Sequence, residues 1–225
     1  MRYQYIVLIV GGLLFLLSTI IELYYGFKEN EIMRKKFKVF PTAILDLVIL
    51  ICFPDQPLIY LAVFCGFLGD LLLIWEKNQK MLYVGGFLFF VGHVLYLIAI
   101  LLASKVNLFW YHYIIGLIGF IALFLFVSLF LHKKLDFVTR TAGAFYFFML
   151  LLNLITSIAL AISLKNYFFL IFSAGYLLFI ISDTLLGVKL FVKEFKKDDF
   201  YIMSSYLIAQ ILISTGLLIP LFLLF

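Results

Sequence analysis

Long apolar runs separated by short polar breaks divide the chain from end to end. The runs fall at about 3–25, 39–53, 57–75, 81–102, 108–131, 139–164, 167–191 and 200–225. A bilayer core of about 30 Å needs roughly 20 apolar residues in a helix, and most of these runs supply that. The second is the shortest. Pro41 sits near its start, and Phe53-Pro54-Asp55-Gln56-Pro57 ends it, so a tight turn is expected before the third run. In lipid every backbone amide must be bonded within its own segment or a closed barrel. Runs of this length predict an all-α fold: a polytopic transmembrane helix bundle of about eight spans, forming one domain over 1–225.

The polar breaks carry the orientation. Fourteen of the 17 basic residues lie after runs one, three, five and seven: Lys28, Arg34, Lys35, Lys36 and Lys38; Lys77 and Lys80; Lys133, Lys134 and Arg140; and Lys189, Lys193, Lys196 and Lys197. The other side holds Arg2, Lys105 and Lys165. Short basic loops stay in the cytoplasm. This alternation predicts odd-numbered loops inside and both termini outside, in a cell membrane crossed many times, of the bacterial inner or plasma type. The longest break, about Gly26 to Lys38, is read as a loop.

Composition agrees. The 225 residues are 66% hydrophobic and 13% charged, against roughly 25% charged in a soluble domain. The net charge of +5 does not indicate a nucleic-acid partner, because the basic residues are spread over short loops. The first run is too long for a signal-peptide core and lacks an A-x-A site, so it reads as a span. Cys52 and Cys65 lie in apolar runs and read as small fillers. No H-x-x-x-H, C-x-x-C, nucleophile elbow, phosphate loop or dinucleotide fingerprint is present, so no metal and no cofactor is expected. His112 and His132 fall at loop edges and read as solvated.

Ionisable groups at membrane depth are costly and mark functional sites by default. They are Glu22, Asp46, Asp70, His93 and Asp183, joined by the uncharged Asn153 and Gln210. Asp70 is expected roughly 8 Å, and Asp183 roughly 12 Å, from the cytoplasmic ends of their spans. Glu22 and Lys38 fall on the same side. Glu22, Lys38, Asp70 and Asp183 are therefore expected in one polar pocket open to the inner leaflet. The plainer readings are a snorkelling Glu22, a structural Asp46 and a hydrogen-bonded core His93. Tyr96 shares the His93 face at i+3. Asn153 and Gln210 read as helix-packing glue or as substrate contacts. Gly66-Phe67-Leu68-Gly69-Asp70 and Ile180-Ile181-Ser182-Asp183 lie four spans apart, an echo that suits a 4+4 parallel repeat.

Five pieces in order carry a family resemblance. They are Lys38-Val39-Phe40-Pro41; Gly66-Phe67-Leu68-Gly69-Asp70; Gly86 to Tyr96 with Gly92-His93; Gly175 to Asp183; and Tyr206-Leu207-Ile208-Ala209-Gln210. Over about residues 37–215 the chain resembles the YhhN-like family of membrane proteins, whose characterised animal members are lysoplasmalogenases. Val39 stands where the family tends to carry its first proline. The resemblance implies a membrane hydrolase that cleaves the vinyl ether bond of a lysoplasmalogen, or a related ether lysophospholipid, to a fatty aldehyde and a glycerophospho-base. Protonation of the β-carbon leaves an oxocarbenium ion, and water then adds. Two carboxyl groups suit this chemistry, much as in glycosidases. Asp70 and Asp183 are the catalytic candidates, and His93 and Tyr96 the orienting or proton-relay candidates. Lys38, Glu22, Asn153 and Gln210 are the substrate-binding candidates, with a lysophospholipid and water as partners. The competing readings are a proton-coupled transporter or flippase of a small amphiphile, and a non-catalytic membrane scaffold.

Overall fold

The computed structural model describes residues 2–104, 114, 118, 119, 121 and 136–223, and among these every regular element is helical. The helices are α1 (Arg2–Phe27), α2 (Glu31–Phe37), α3 (Phe40–Cys52), α4 (Pro57–Leu72, continued by a 3-10 turn Leu73–Trp75), α5 (Gln79–Ser104), α6 (Phe137–Leu164), α7 (Phe168–Phe191) and α8 (Asp198–Leu223). Six stretches are long and apolar enough to cross a membrane: Tyr3–Phe27, Pro57–Trp75, Gln79–Leu102, Phe137–Leu164, Phe168–Phe191 and Asp198–Ile219. Of the run expected at 108–131 only residues 114, 118, 119 and 121 are described, and His112 and His132 lie outside the described residues.

Two expectations meet a different local structure. The break between Gly26 and Lys38 is not all loop. Asn30 caps a short helix there by accepting from the Met33 amide at 3.1 Å. The second run forms a helix of 13 residues, about 20 Å long at 1.5 Å per residue, which is shorter than a bilayer core. Its limits are chemical. Pro41 lies in its first turn, where a missing N–H costs nothing. At the other end Phe53 leaves the helical region and Pro57 opens α4.

The chain divides into two compact units, Met1–Ala99 with Lys197–Leu207, and Ile100–Lys196 with Ile208–Phe225. In the first, α1 and α3 run antiparallel. Gln4 donates to the Cys52 carbonyl at 3.2 Å, and Gly11 gives its place to the Val48 side chain. The other face of α1 leaves Ile6, Ile9, Leu13 and Ile20 exposed, as a lipid-facing helix does. Helix α5 lies close against α4. A Cβ on Gly85 would meet the Gly69 carbonyl at 3.3 Å, and one on Gly92 the Ala62 carbonyl at 2.9 Å. Both pairs are seven residues apart, two helical turns, so small residues recur along one seam.

The second unit uses the same device. A Cβ on Gly175 of α7 would meet the Ile213 amide of α8 at 2.8 Å. Gly216 of α8 lies against the Phe172 backbone. The Ser157 and Ser173 hydroxyls bond at 2.7 Å between α6 and α7, and Ser173 also donates to the Phe169 carbonyl at 2.8 Å. These bonds satisfy buried hydroxyls that have no water to turn to.

Candidate functional site

The first unit gathers charged and polar groups at one end. Helix α4 brings Asp70 there, within its last turn. Asp70 is 2% exposed, and its Oδ2 accepts two hydroxyl hydrogen bonds. Thr42, on the first turn of α3, donates at 3.0 Å. Tyr206, on α8, donates at 2.8 Å. The Tyr206 ring is held edge-on by Phe89 of α5, with centroids 6.0 Å apart. Phe89 in turn lies over Gly69, where a Cβ would meet its ring at 2.6 Å. The glycine beside the aspartate thus admits the ring that positions the tyrosine.

Lys38 interacts electrostatically with Asp70. It is buried, and its Nζ donates to the Leu73 carbonyl, just past the end of α4, at 3.3 Å. A lysine there complements the negative end of the helix dipole. Burial pushes the Lys38 ammonium below the ordinary lysine range, and the Asp70 carboxylate opposes that shift. Val39, in the place of the family's first proline, keeps a helical backbone at φ −87°, ψ −15°. Its carbonyl accepts from the Ala43 amide at 3.0 Å and from the Thr42 hydroxyl at 3.2 Å. The entry to α3 is therefore regular without that proline.

Glu22 joins the same cluster from α1. It is 0% exposed, and neither carboxylate oxygen has a hydrogen-bond partner. It interacts electrostatically with Arg34, Lys38, Asp199 and Asp70. Arg34 is also buried and pairs with Asp199 at 2.9 Å. Close by, the Lys197 amide donates to Glu29 at 2.9 Å, and the Lys197 ammonium lies 3.4 Å from the centroid of the Phe27 ring. The segments after the first and the last-but-one expected spans thus meet at this end.

Three of the four residues expected in one pocket, Glu22, Lys38 and Asp70, are brought together. Asp183 belongs to the second unit. It accepts from the Tyr146 hydroxyl of α6. Asn153 is also in that unit, fully buried, and its amide donates to the Met149 carbonyl at 3.0 Å. Gln210 is buried on the part of α8 that belongs to it. His93 and Tyr96 are both 2% exposed in the first unit. Asp46 is half-buried on α3, four residues beyond Thr42 and on its face.

The sequence reading missed Arg34, Thr42 and Asp199 as members of the cluster, and missed the role of Tyr206. By sequence alone Arg34 reads as a loop cation. One signal was available for Thr42. It precedes Asp46 by four residues, so the two polar residues of this apolar run lie on one face.

Comparison with protein families matches residues 33–217 to the YhhN family. The chain belongs to the YhhN family. The match covers α3, α4, α5, α6 and α7, and with them Lys38, Thr42, Asp70, Asp183 and Tyr206. Glu22 lies before its start. No curated protein and no solved structure matches the chain. The family resemblance read from the five sequence pieces is therefore correct, and the YhhN chain is a membrane protein by the length and apolarity of its helices.

Proposed function

We propose that this YhhN protein is an integral membrane hydrolase that cleaves the vinyl ether bond of lysoplasmalogens, or of a related ether lysophospholipid. One observation carries the reading: a buried aspartate, Asp70, receives two hydroxyl hydrogen bonds beside a buried lysine. Such a cluster is too costly at membrane depth to serve packing alone. Vinyl ether hydrolysis needs a proton at the β-carbon, a negative charge near the oxocarbenium ion and a water. A fixed carboxyl group is suited to the first two tasks. Thr42 and Tyr206 fix one Asp70 oxygen and leave Oδ1 for the reacting lipid.

Lys38 is suited to the lipid phosphate, since an ammonium has three donors and the Leu73 carbonyl uses one. Asp183, bonded by Tyr146, is the second carboxyl group that the reaction is proposed to require. His93 and Tyr96 remain candidates for orienting groups, and Asn153 and Gln210 for contacts to the lipid. With the orientation proposed from the basic loops, this end of the first unit would lie at the cytoplasmic leaflet.

A proton-coupled transporter of an amphiphile is the second reading. One feature favours it. Each unit carries an aspartate bonded by a hydroxyl of the helix before it, Thr42 to Asp70 and Tyr146 to Asp183. Matching acids in two halves suit a repeat that alternates. Product analysis separates the two. The hydrolase releases aldehyde from lysoplasmalogen in detergent. A transporter alters no lipid there and shows proton-driven flux only in sealed liposomes.

A further inference from the structure

In the cluster of the first unit two cations, Arg34 and Lys38, face three acids, Glu22, Asp70 and Asp199. Arg34 is committed to Asp199 at 2.9 Å. Lys38 faces Asp70, whose Oδ2 is further held by Thr42 and Tyr206. Glu22 is left over. It has no exposure, and neither of its oxygens receives a hydrogen bond. A buried carboxylate with two empty acceptors is costly. The enclosure therefore favours something that brings positive charge and N–H donors together.

We propose that Glu22 is the binding group for a primary ammonium on the head group of the lipid, and so sets head-group preference. The proposal rests on the hydrolase reading for the identity of the lipid. A primary ammonium supplies up to three N–H donors, enough for both Glu22 oxygens. A quaternary ammonium supplies none. With Lys38 taking the phosphate, the site would match a zwitterionic head: cation on Glu22, anion on Lys38. A head of the same phosphodiester charge without nitrogen would leave Glu22 as empty as it is in the free protein. Glu22 lies outside the residues matched to the family, so this preference would belong to this chain rather than to the family reaction.

The test uses two saturated ether lysophospholipids that contain no vinyl bond, one with an ethanolamine head and one with a glycerol head. Their binding to the full-length protein in detergent is measured by calorimetry. The wild type should bind the ethanolamine lipid roughly tenfold or more tighter, the value of a charge-assisted hydrogen bond. Glu22→Gln should bring the two affinities together without changing the glycerol lipid, and Glu22→Asp should keep the order. A wild type without preference overturns the proposal, and so does a Glu22→Gln protein that keeps it. If Glu22→Gln binds neither lipid, Glu22→Asp decides. Preference retained supports the proposal. Preference lost, or no binding by either variant, identifies Glu22 as a folding residue and overturns it. Because neither lipid can be hydrolysed, failure of the hydrolase reading would show separately as absent aldehyde with head-group preference intact.

Discussion

The Tyr206 hydroxyl donates to Oδ2 of Asp70 at 2.8 Å, joining positions 136 residues apart in the chain. Thr42 donates to the same oxygen from 28 residues away. Three helices thus depend on one carboxylate atom. Tyr206→Phe removes a buried hydrogen bond to a charged acceptor, worth about 1.5–3 kcal/mol. We expect turnover to fall roughly tenfold to a hundredfold by that amount, with a lower thermal midpoint in detergent.

Thr42→Val should behave alike, and the double variant should not be additive. Both hydroxyls serve one oxygen, and partners of one group couple. The combined loss in turnover should differ from the sum of the single losses by about 0.5 kcal/mol or more. A double-mutant cycle on aldehyde release measures this directly, and strict additivity would argue against a shared role.

The seam between α4 and α5 gives a contrast within one helix. A Cβ on Gly92 would meet the Ala62 carbonyl at 2.9 Å, whereas nothing lies within 4 Å of one on Gly86. Backbone cannot yield as a side chain does. Gly92→Ala should cost about 1–3 kcal/mol of stability. Gly86→Ala should be neutral or slightly stabilising, because alanine is the better helix former. Thermal melts of the two variants in the same detergent compare them.

Arg34 and Asp199 form an ion pair in which Arg34 is 4% and Asp199 22% exposed. Removing one partner of a buried pair strands the other, at about 3 kcal/mol. Arg34→Met should therefore lower the thermal midpoint sharply, the more so because Glu22 also loses a nearby cation. Arg34→Met with Asp199→Leu should recover much of the loss. A double variant whose loss equals the sum of the Arg34→Met and Asp199→Leu losses would mean that the pair adds no coupling.

Much of this was legible in the sequence, for physical reasons. Apolar length alone located the helices containing Asp70, His93, Asn153 and Asp183, because lipid forces backbone bonds inward. Direction of travel placed Glu22, Lys38 and Asp70 at one end. Neighbours across helices were harder to read. Nothing in the spacing of Thr42 and Tyr206 tells which side chain they face, since that depends on how helices rotate against one another. Arg34 was hidden for a different reason. A basic residue between two spans reads as a topology signal, and only a folded α2 turns it inward to meet Asp199. The helix over Glu31–Phe37 was itself hard to see. At seven residues it is too short to show a helical period, and its capping Asn30 is its main local signal.

If Asp70 serves hydrolysis of an ether lipid, turnover must depend on its carboxyl group. The most direct test is aldehyde release from purified, monodisperse protein given a lysoplasmalogen, with an acyl lysophospholipid beside it. Wild type, Asp70→Asn and Asp183→Asn are run together, with binding of a saturated ether analogue as the fold control. Aldehyde is expected from the wild type with the vinyl ether lipid only, and turnover should fall by at least a hundredfold, on the order of 3 kcal/mol, in both variants while they still bind the analogue. Full turnover in an Asp70→Asn protein, or no aldehyde from a folded wild type that binds the lipid, would contradict the hydrolase reading.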